Sequence, residues 1–332
     1  MPTPTAATDF SAQLRRLIAA VMLSTRQSWQ QVPADNIVAG WAVIARQVTA
    51  QVAAAQIAAA RFGDAYVPRL LEELGIDPAS VATVEPRALA VGSSGVDLPT
   101  VLGSVPLRAL HVASTAGVDA GLDAGGNLLD GIVATQVADA GRLGTSLRMV
   151  ASPHVSGYIR EVSPGACARC LLLAGKWYRW SSGFLRHPHC QCINVPVGQA
   201  QGKGMVTDAD SAFRSMSKAE QDRVFTTAGA KAIRDGADIN RVVNARRGTE
   251  WAGQSSTRIN ERGQIVNERH RTMTTRRVFG QDVFTTTEGA TTRGVVGAQV
   301  PGRARLMPES IYALARDRED AIRLLRLHGY LR

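Results

Sequence analysis

The stretch "DNIVAGWAVIARQVTAQVAAAQIAAARFG", residues 35–63, decides the class of fold. Ile37, Trp41, Ile44, Val48, Val52, Ala55 and Ala59 recur at steps of three and four residues, which places them on one face of a long helix. Asp35 suits the N-cap, and Gly63 stands where a helix would end. Upstream, Phe10, Leu14, Leu17, Ile18 and Val21 form a second amphipathic face. The apolar run "RRLIAAVMLS" within it lacks the small-residue cleavage site of a signal peptide. Downstream, "GIDPAS" and "VGSSGVDLPT" break the pattern, and shorter helices are expected near 100–117 and 127–150.

Composition agrees with a helical class. Aromatic residues are 5% of the 332, hydrophobic residues 45%, and alanine is abundant, which favours close-packed helices over sheets stacked on large side chains. At about 150 residues per domain, the length suggests about two domains. No run reaches the roughly 18 apolar residues of a membrane span, so no membrane is expected as a partner. The net charge of +10 is unevenly spread. Residues 1–150 sum to −2, 151–240 to +4, 241–305 to +7 and 306–332 to +1.

All four cysteines fall within "CARCLLLAGKWYRWSSGFLRHPHCQC", residues 167–192. Disulfides that stabilise a fold usually join distant segments, so this clustering points to reduced thiols and a metal. Cys167 and Cys170 form a C-x2-C pair, His187 and Cys190 an H-x2-C pair, and sixteen residues separate the two. That spacing suits a closed tetrahedral Zn²⁺ site. Cys192 is an alternate fourth ligand, and His189 a further candidate. No HExxH or HxE motif accompanies the set, which excludes the familiar catalytic zinc arrangements. Trp177, Tyr178, Trp180 and Phe184 lie between the pairs. Packing of a small metal module is their default role, and base stacking beside Lys176, Arg179 and Arg186 the alternative.

Beyond the cysteines, "SKAE" at Ser217 to Glu220 reads as a capping box, and two short helices separated by "RDGAD" are expected over 218–246. Residues 248–305 turn to Thr, Arg, Gly and Gln without apolar periodicity, so an extended or irregular segment is expected. Twelve arginines and no lysine lie between 241 and 305. Arg246, Arg247, Arg258, Arg262, Arg269, Arg271, Arg276 and Arg277 are candidates for contact with DNA phosphates or an acidic protein surface. The last 26 residues recover a helical pattern, with Pro308 in a first turn and Ala321, Ile322, Leu324, Leu325 and Leu327 packing before Gly329.

The order C-x2-C, "LAGKWYRW", H-P-x-C-x-C resembles the zinc-binding-type signature of the phage Mu F-like minor head proteins, in the form found in actinobacteriophages. Cys167, Cys170, Gly175, Lys176, His187, Pro188, Cys190 and Cys192 occupy the signature positions. The stretches "AIRDGADINRVVNARRG", "TTTEGATTRG" and "RLMPESIYALARDREDAIRLLRLHGYL" are similar to the C-terminal part of such proteins. The resemblance implies a minor capsid protein made in the host cytoplasm and held inside the head near the portal. Portal, capsid or scaffold proteins would be its partners, together with packaged double-stranded DNA. It also raises a prohead protease as the alternative. The sequence holds no GxSxG elbow for one; "GSSG" at 92–95, His111, and Ser152 with His154 are the nearest candidates.

The expectation is therefore a mainly α protein. It comprises a helical domain over 1–150, a zinc-ribbon-like α+β module over 151–200, a linker with short helices over 201–247, a basic, extended or irregular arginine-rich segment over 248–305 and a C-terminal helix over 306–332.

Overall fold

A computed structural model describes residues 3–83, 85, 96–162, 166–183, 190, 192–198, 209–245 and 306–331, with the strand backbone at 256–259, 265–268, 273–278, 281–286 and 305. The chain divides into two compact units, residues 1–166 with 174–207 and residues 167–173 with 208–332. The described residues are mainly helical, with small antiparallel sheets.

The first unit is built on α1 (Thr5–Trp29), α2 (Ile37–Glu73), α3 (Leu98–Leu102), α4 (Ser104–Ala116) and α5 (Val118–Val150). α5 packs against α1, α2 and α4. The face read from the sequence is the buried face of α2, from Ile37 through Trp41, Ile44, Val48 and Val52 to Ala59. Asn36 rather than Asp35 caps it, accepting from the Ala39 N–H at 3.1 Å. By length and composition α2 also passes for a membrane span, but that face packs in the core of the helices.

Gly63 does not end α2, which runs on to Glu73. A Cβ at Gly63 would lie 2.2 Å from the Gly141 carbonyl oxygen of α5, and one at Gly144 would lie 2.2 Å from the Ala60 carbonyl. These glycines let the two backbones meet. The terminator is Gly75, at φ +68°, where the Gly75 and Ile76 N–H groups bond back to the Glu72 and Leu71 carbonyls. Backbone atoms cannot yield as side-chain tips do, so Gly144→Ala is expected to destabilise by about 1–3 kcal/mol. Gly183→Ala, which meets open space, serves as the control. Equal urea midpoints for the two variants would show that α2 and α5 can part without cost.

α1 starts after Pro4, which offers no side-chain cap. The Glu73 carboxylate at the far end of α2 accepts from the Thr5 and Ala6 N–H groups at 2.7 and 2.8 Å. Those bonds, Ala6 first, hold Glu73 below the usual carboxylate range. Phe10 stacks on Tyr66, with centroids 4.5 Å apart, and Trp29 meets Trp41 edge to face.

The sheet of this unit runs β2–β1–β3 and is antiparallel throughout, from β1 (Gly157–Glu161), β2 (Trp177–Arg179) and β3 (Ile193–Val197). Pro196 is tolerated because β3 is an edge strand. Tyr158, Ile193 and Val195 belong to the same buried cluster as the helices. The strands of the segment expected as a module at 151–200 thus share the helical core, whereas 167–173 falls in the second unit.

The second unit contains α6 (Ala168–Leu172), α7 (Ala209–Ser215), α8 (Lys218–Phe225), α9 (Thr227–Arg234), α10 (Ile239–Ala245), α11 (Pro308–Leu314) and α12 (Arg318–Leu327). The capping box at Ser217 and Glu220 is present. Where two helices were expected over 218–246 there are three, because Thr226, at φ +63°, ends one and caps the next. The "RDGAD" break falls at Gly236, φ +97°. Pro308 opens α11; Ala321 and Leu325 are buried, whereas Leu327 is exposed.

Within 248–305, expected as extended or irregular, the backbone forms β4 (Ser256–Ile259), β5 (Ile265–Glu268), β6 (Met273–Val278), β7 (Gln281–Thr286) and β8 (Arg305–Leu306). β4 pairs with β5, and β6, β7 and β8 form a three-stranded antiparallel sheet. Thr274, Thr275, Val278, Val283, Thr285 and Thr286 are β-branched residues that favour strands without any apolar period.

Candidate metal centre

β1 organises the cysteine region. The Arg160 N–H donates to the Lys176 carbonyl at 3.1 Å, and the Gly175 N–H to the Arg160 carbonyl at 2.8 Å. Cys167 stands at the N-terminal boundary of α6, and the Leu171 N–H bonds back to the Cys167 carbonyl at 3.1 Å. Gly175, at φ +69°, turns the chain into β2.

The four cysteines are thiols rather than half-cystines. The Sγ atoms of Cys170, Cys190 and Cys192 lie within 4.8 Å of one another, and all three residues are buried. In a tetrahedral zinc–thiolate centre, bonds of about 2.3 Å put sulfurs about 3.8 Å apart. Three buried soft donors at this separation fit a metal ion. Cys167 is half-buried and does not join the three at that distance. His187, Pro188 and His189 lie outside the described residues. Both Cys190 and Cys192, left as alternatives by their spacing, are brought to the cluster.

Two buried arginines that spacing did not single out frame the thiols. Arg160 on β1 places Nη2 3.6 Å from both the Cys190 and the Cys192 Sγ. Arg142 on α5 donates through Nη1 to the Cys190 and Cys192 carbonyls at 3.0 and 2.7 Å, and its Nη2 pairs with Asp139 one turn earlier. One guanidinium therefore fixes the backbone of the C-x-C segment while the other brings positive charge to its sulfurs. A usable signal existed for Arg142. An Asp–Arg pair at i,i+3 inside "VATQVADAGRLGT", a run of small and apolar residues, points inward as a unit. Arg160 gave none, since one cation in a short strand reads as exposed.

The remaining candidates fall elsewhere. Arg258 lies on β4, opposite Val266, and Arg276 and Arg277 lie on β6, opposite Val283 and Asp282. Arg246, Arg247, Arg262, Arg269 and Arg271 lie outside the described residues, as do Arg186, Phe184 and the "GSSG" stretch. Ser152 donates its hydroxyl hydrogen to the Arg148 carbonyl at 2.9 Å, closing the end of α5. His154 faces Asp77 across 3.5 Å on the surface, and His111 is exposed on α4. Trp177 and Trp180, whose default role was packing, are 44% and 41% exposed.

Comparison of the chain with family models, curated proteins and solved structures finds no match.

Proposed function

We propose that the chain is a minor head protein of a tailed phage, working by binding inside the capsid near the portal rather than by catalysis. The supporting observation is the composite order C-x2-C, G-K, H-P-x-C-x-C, in which cysteines from both ends of the motif, Cys170 with Cys190 and Cys192, converge on one buried point. In this reading the cluster is a structural zinc site held by those three thiolates, with Cys167 or His187 as fourth ligand. With Zn²⁺ the ligands leave one net negative charge if His187 is the fourth, or two if Cys167 is, and the Arg160 guanidinium offsets one of them in the buried site.

The arginine-rich strands supply the contact with packaged DNA or the portal. If they touch phosphate, affinity for double-stranded DNA is indifferent to sequence and falls with salt, with a log–log slope of about −0.9 per phosphate neutralised. Deleting 248–305 is then expected to remove most of that slope. If they dock on the portal, the deletion abolishes co-purification with it instead. A deleted protein that enters heads normally and binds DNA unchanged refutes both roles.

The function as a whole is tested in virions of the phage that encodes the chain. It is expected inside nuclease-treated heads, and incubation with the cognate capsid and scaffold proteins is expected to leave them intact. Specific cleavage abolished by Ser152→Ala would replace this reading with a prohead protease.

A further inference from the structure

We infer that the edge strand β2 and the turn after it form a stacking platform for single-stranded nucleic acid. Trp177 and Arg179, two residues apart, share one face of β2, and Lys176 and Tyr178 the other. Trp177 is seated against the backbone of β1, since a Cβ at Gly157 would come within 2.5 Å of its ring. The ring is thus held on one side and exposed on the other. Trp180 sits at the next corner, in a turn closed by the Ser182 N–H on the Arg179 carbonyl at 2.9 Å. The Tyr158 hydroxyl pins that turn further, donating to the Ser182 carbonyl at 2.5 Å.

Tyr158 and Tyr178 stack beneath the strand with centroids 5.4 Å apart, and the Lys176 ammonium lies 5.4 Å from the Tyr178 ring centre. Two large rings are therefore presented on hydrogen-bonded backbone, Trp177 beside the exposed Arg179, with the exposed Lys176 on the opposite face. Exposed tryptophan is uncommon on a surface without a partner.

Charge selects the occupant. From Val162 to Thr207 the chain contains no Asp or Glu, while it contains five Lys and Arg. An anion with flat apolar groups matches both features, and single-stranded nucleic acid carries phosphates and unpaired bases together. A duplex hides its bases, and an acidic peptide offers charge without rings to stack.

The test uses the full chain and a fluorescent oligo(dT) of about 16 nucleotides. The same strand annealed to oligo(dA), and poly-glutamate, serve as comparison ligands. Trp177→Ala/Trp180→Ala is expected to weaken oligo(dT) binding at least tenfold while leaving duplex binding and the salt slope unchanged, since phosphate contacts remain. Trp177→Phe/Trp180→Phe is expected to retain most of the affinity, because a ring is kept. Trp180→Ala alone, in a residue outside the sheet, covers the case in which the double variant unfolds. Unchanged oligo(dT) affinity in Trp180→Ala and in the folded double variant overturns the proposal. So does an equal loss for duplex, and so does a loss confined to poly-glutamate, which would identify an acidic protein segment as the partner.

Discussion

Purified without chelator, the protein is expected to carry about one equivalent of Zn²⁺, and Cys170→Ser, Cys190→Ser or Cys192→Ser is expected to abolish it. The three thiols are buried together, so replacing one leaves two thiolates and the fourth ligand, too few soft donors to hold the ion. In isolated zinc fingers the metal contributes about 10–16 kcal/mol of apparent binding energy, which is also folding energy. Here the sheet shares a core with the helices, so the metal-free variants are expected to stay folded but to melt at lower temperature. Tyr158, Ile193 and Val195 couple the two layers, and a single transition is expected rather than separate melting of sheet and helices. Metal analysis finding no zinc in the untreated protein defeats the assignment. Comparing Cys167→Ser with His187→Ala identifies the fourth ligand as the variant with the greater metal loss.

Arg142→Met is expected to destabilise the protein by about 3–5 kcal/mol, the range seen when one partner of a buried ion pair is removed. Arg142 and Asp139 are both buried, and the arginine also satisfies the Cys190 and Cys192 carbonyls. The substitution therefore strips a buried carboxylate of its cation and two carbonyls of a donor at once. Adding Asp139→Leu is expected to recover part of the loss, because the stranded charge goes while the stranded carbonyls remain. Since Arg142 holds the C-x-C backbone, zinc affinity is expected to fall about 10–100-fold in parallel, as it does when groups supporting metal ligands are lost. Urea midpoints with an unchanged slope, together with a competitive zinc titration, measure both effects. A variant that loses stability but keeps zinc affinity would show that Arg142 supports the core and does not position the cysteines.

Local chemistry was legible wherever one element could be read by itself. The apolar faces of α1 and α2 and the capping box at Ser217 depend on neighbours three or four residues away, and the sequence contains those neighbours. Gly63 shows where such reading fails. As a helix stop and as a packing point glycine looks the same in sequence, and only the approach of the Gly141 carbonyl across the interface separates the two. The β-branched residues of 273–286 carry a strand preference, but strands need a partner to close their hydrogen bonds, and pairing is not a local property.

The centre divides in the same way. By itself the sequence determined that this chain is mainly helical and that its four thiols, within 26 residues, include a set suited to a metal. Spacing along the chain cannot say which sulfurs meet, because ligand geometry depends on positions in space. The tertiary structure decided that Cys170, Cys190 and Cys192 converge. It also decided that Arg160 and Arg142, distant in sequence, stand beside them. The physical reason is burial: a charge acquires its role only when water is removed and its nearest partners are fixed, and the fold alone fixes them.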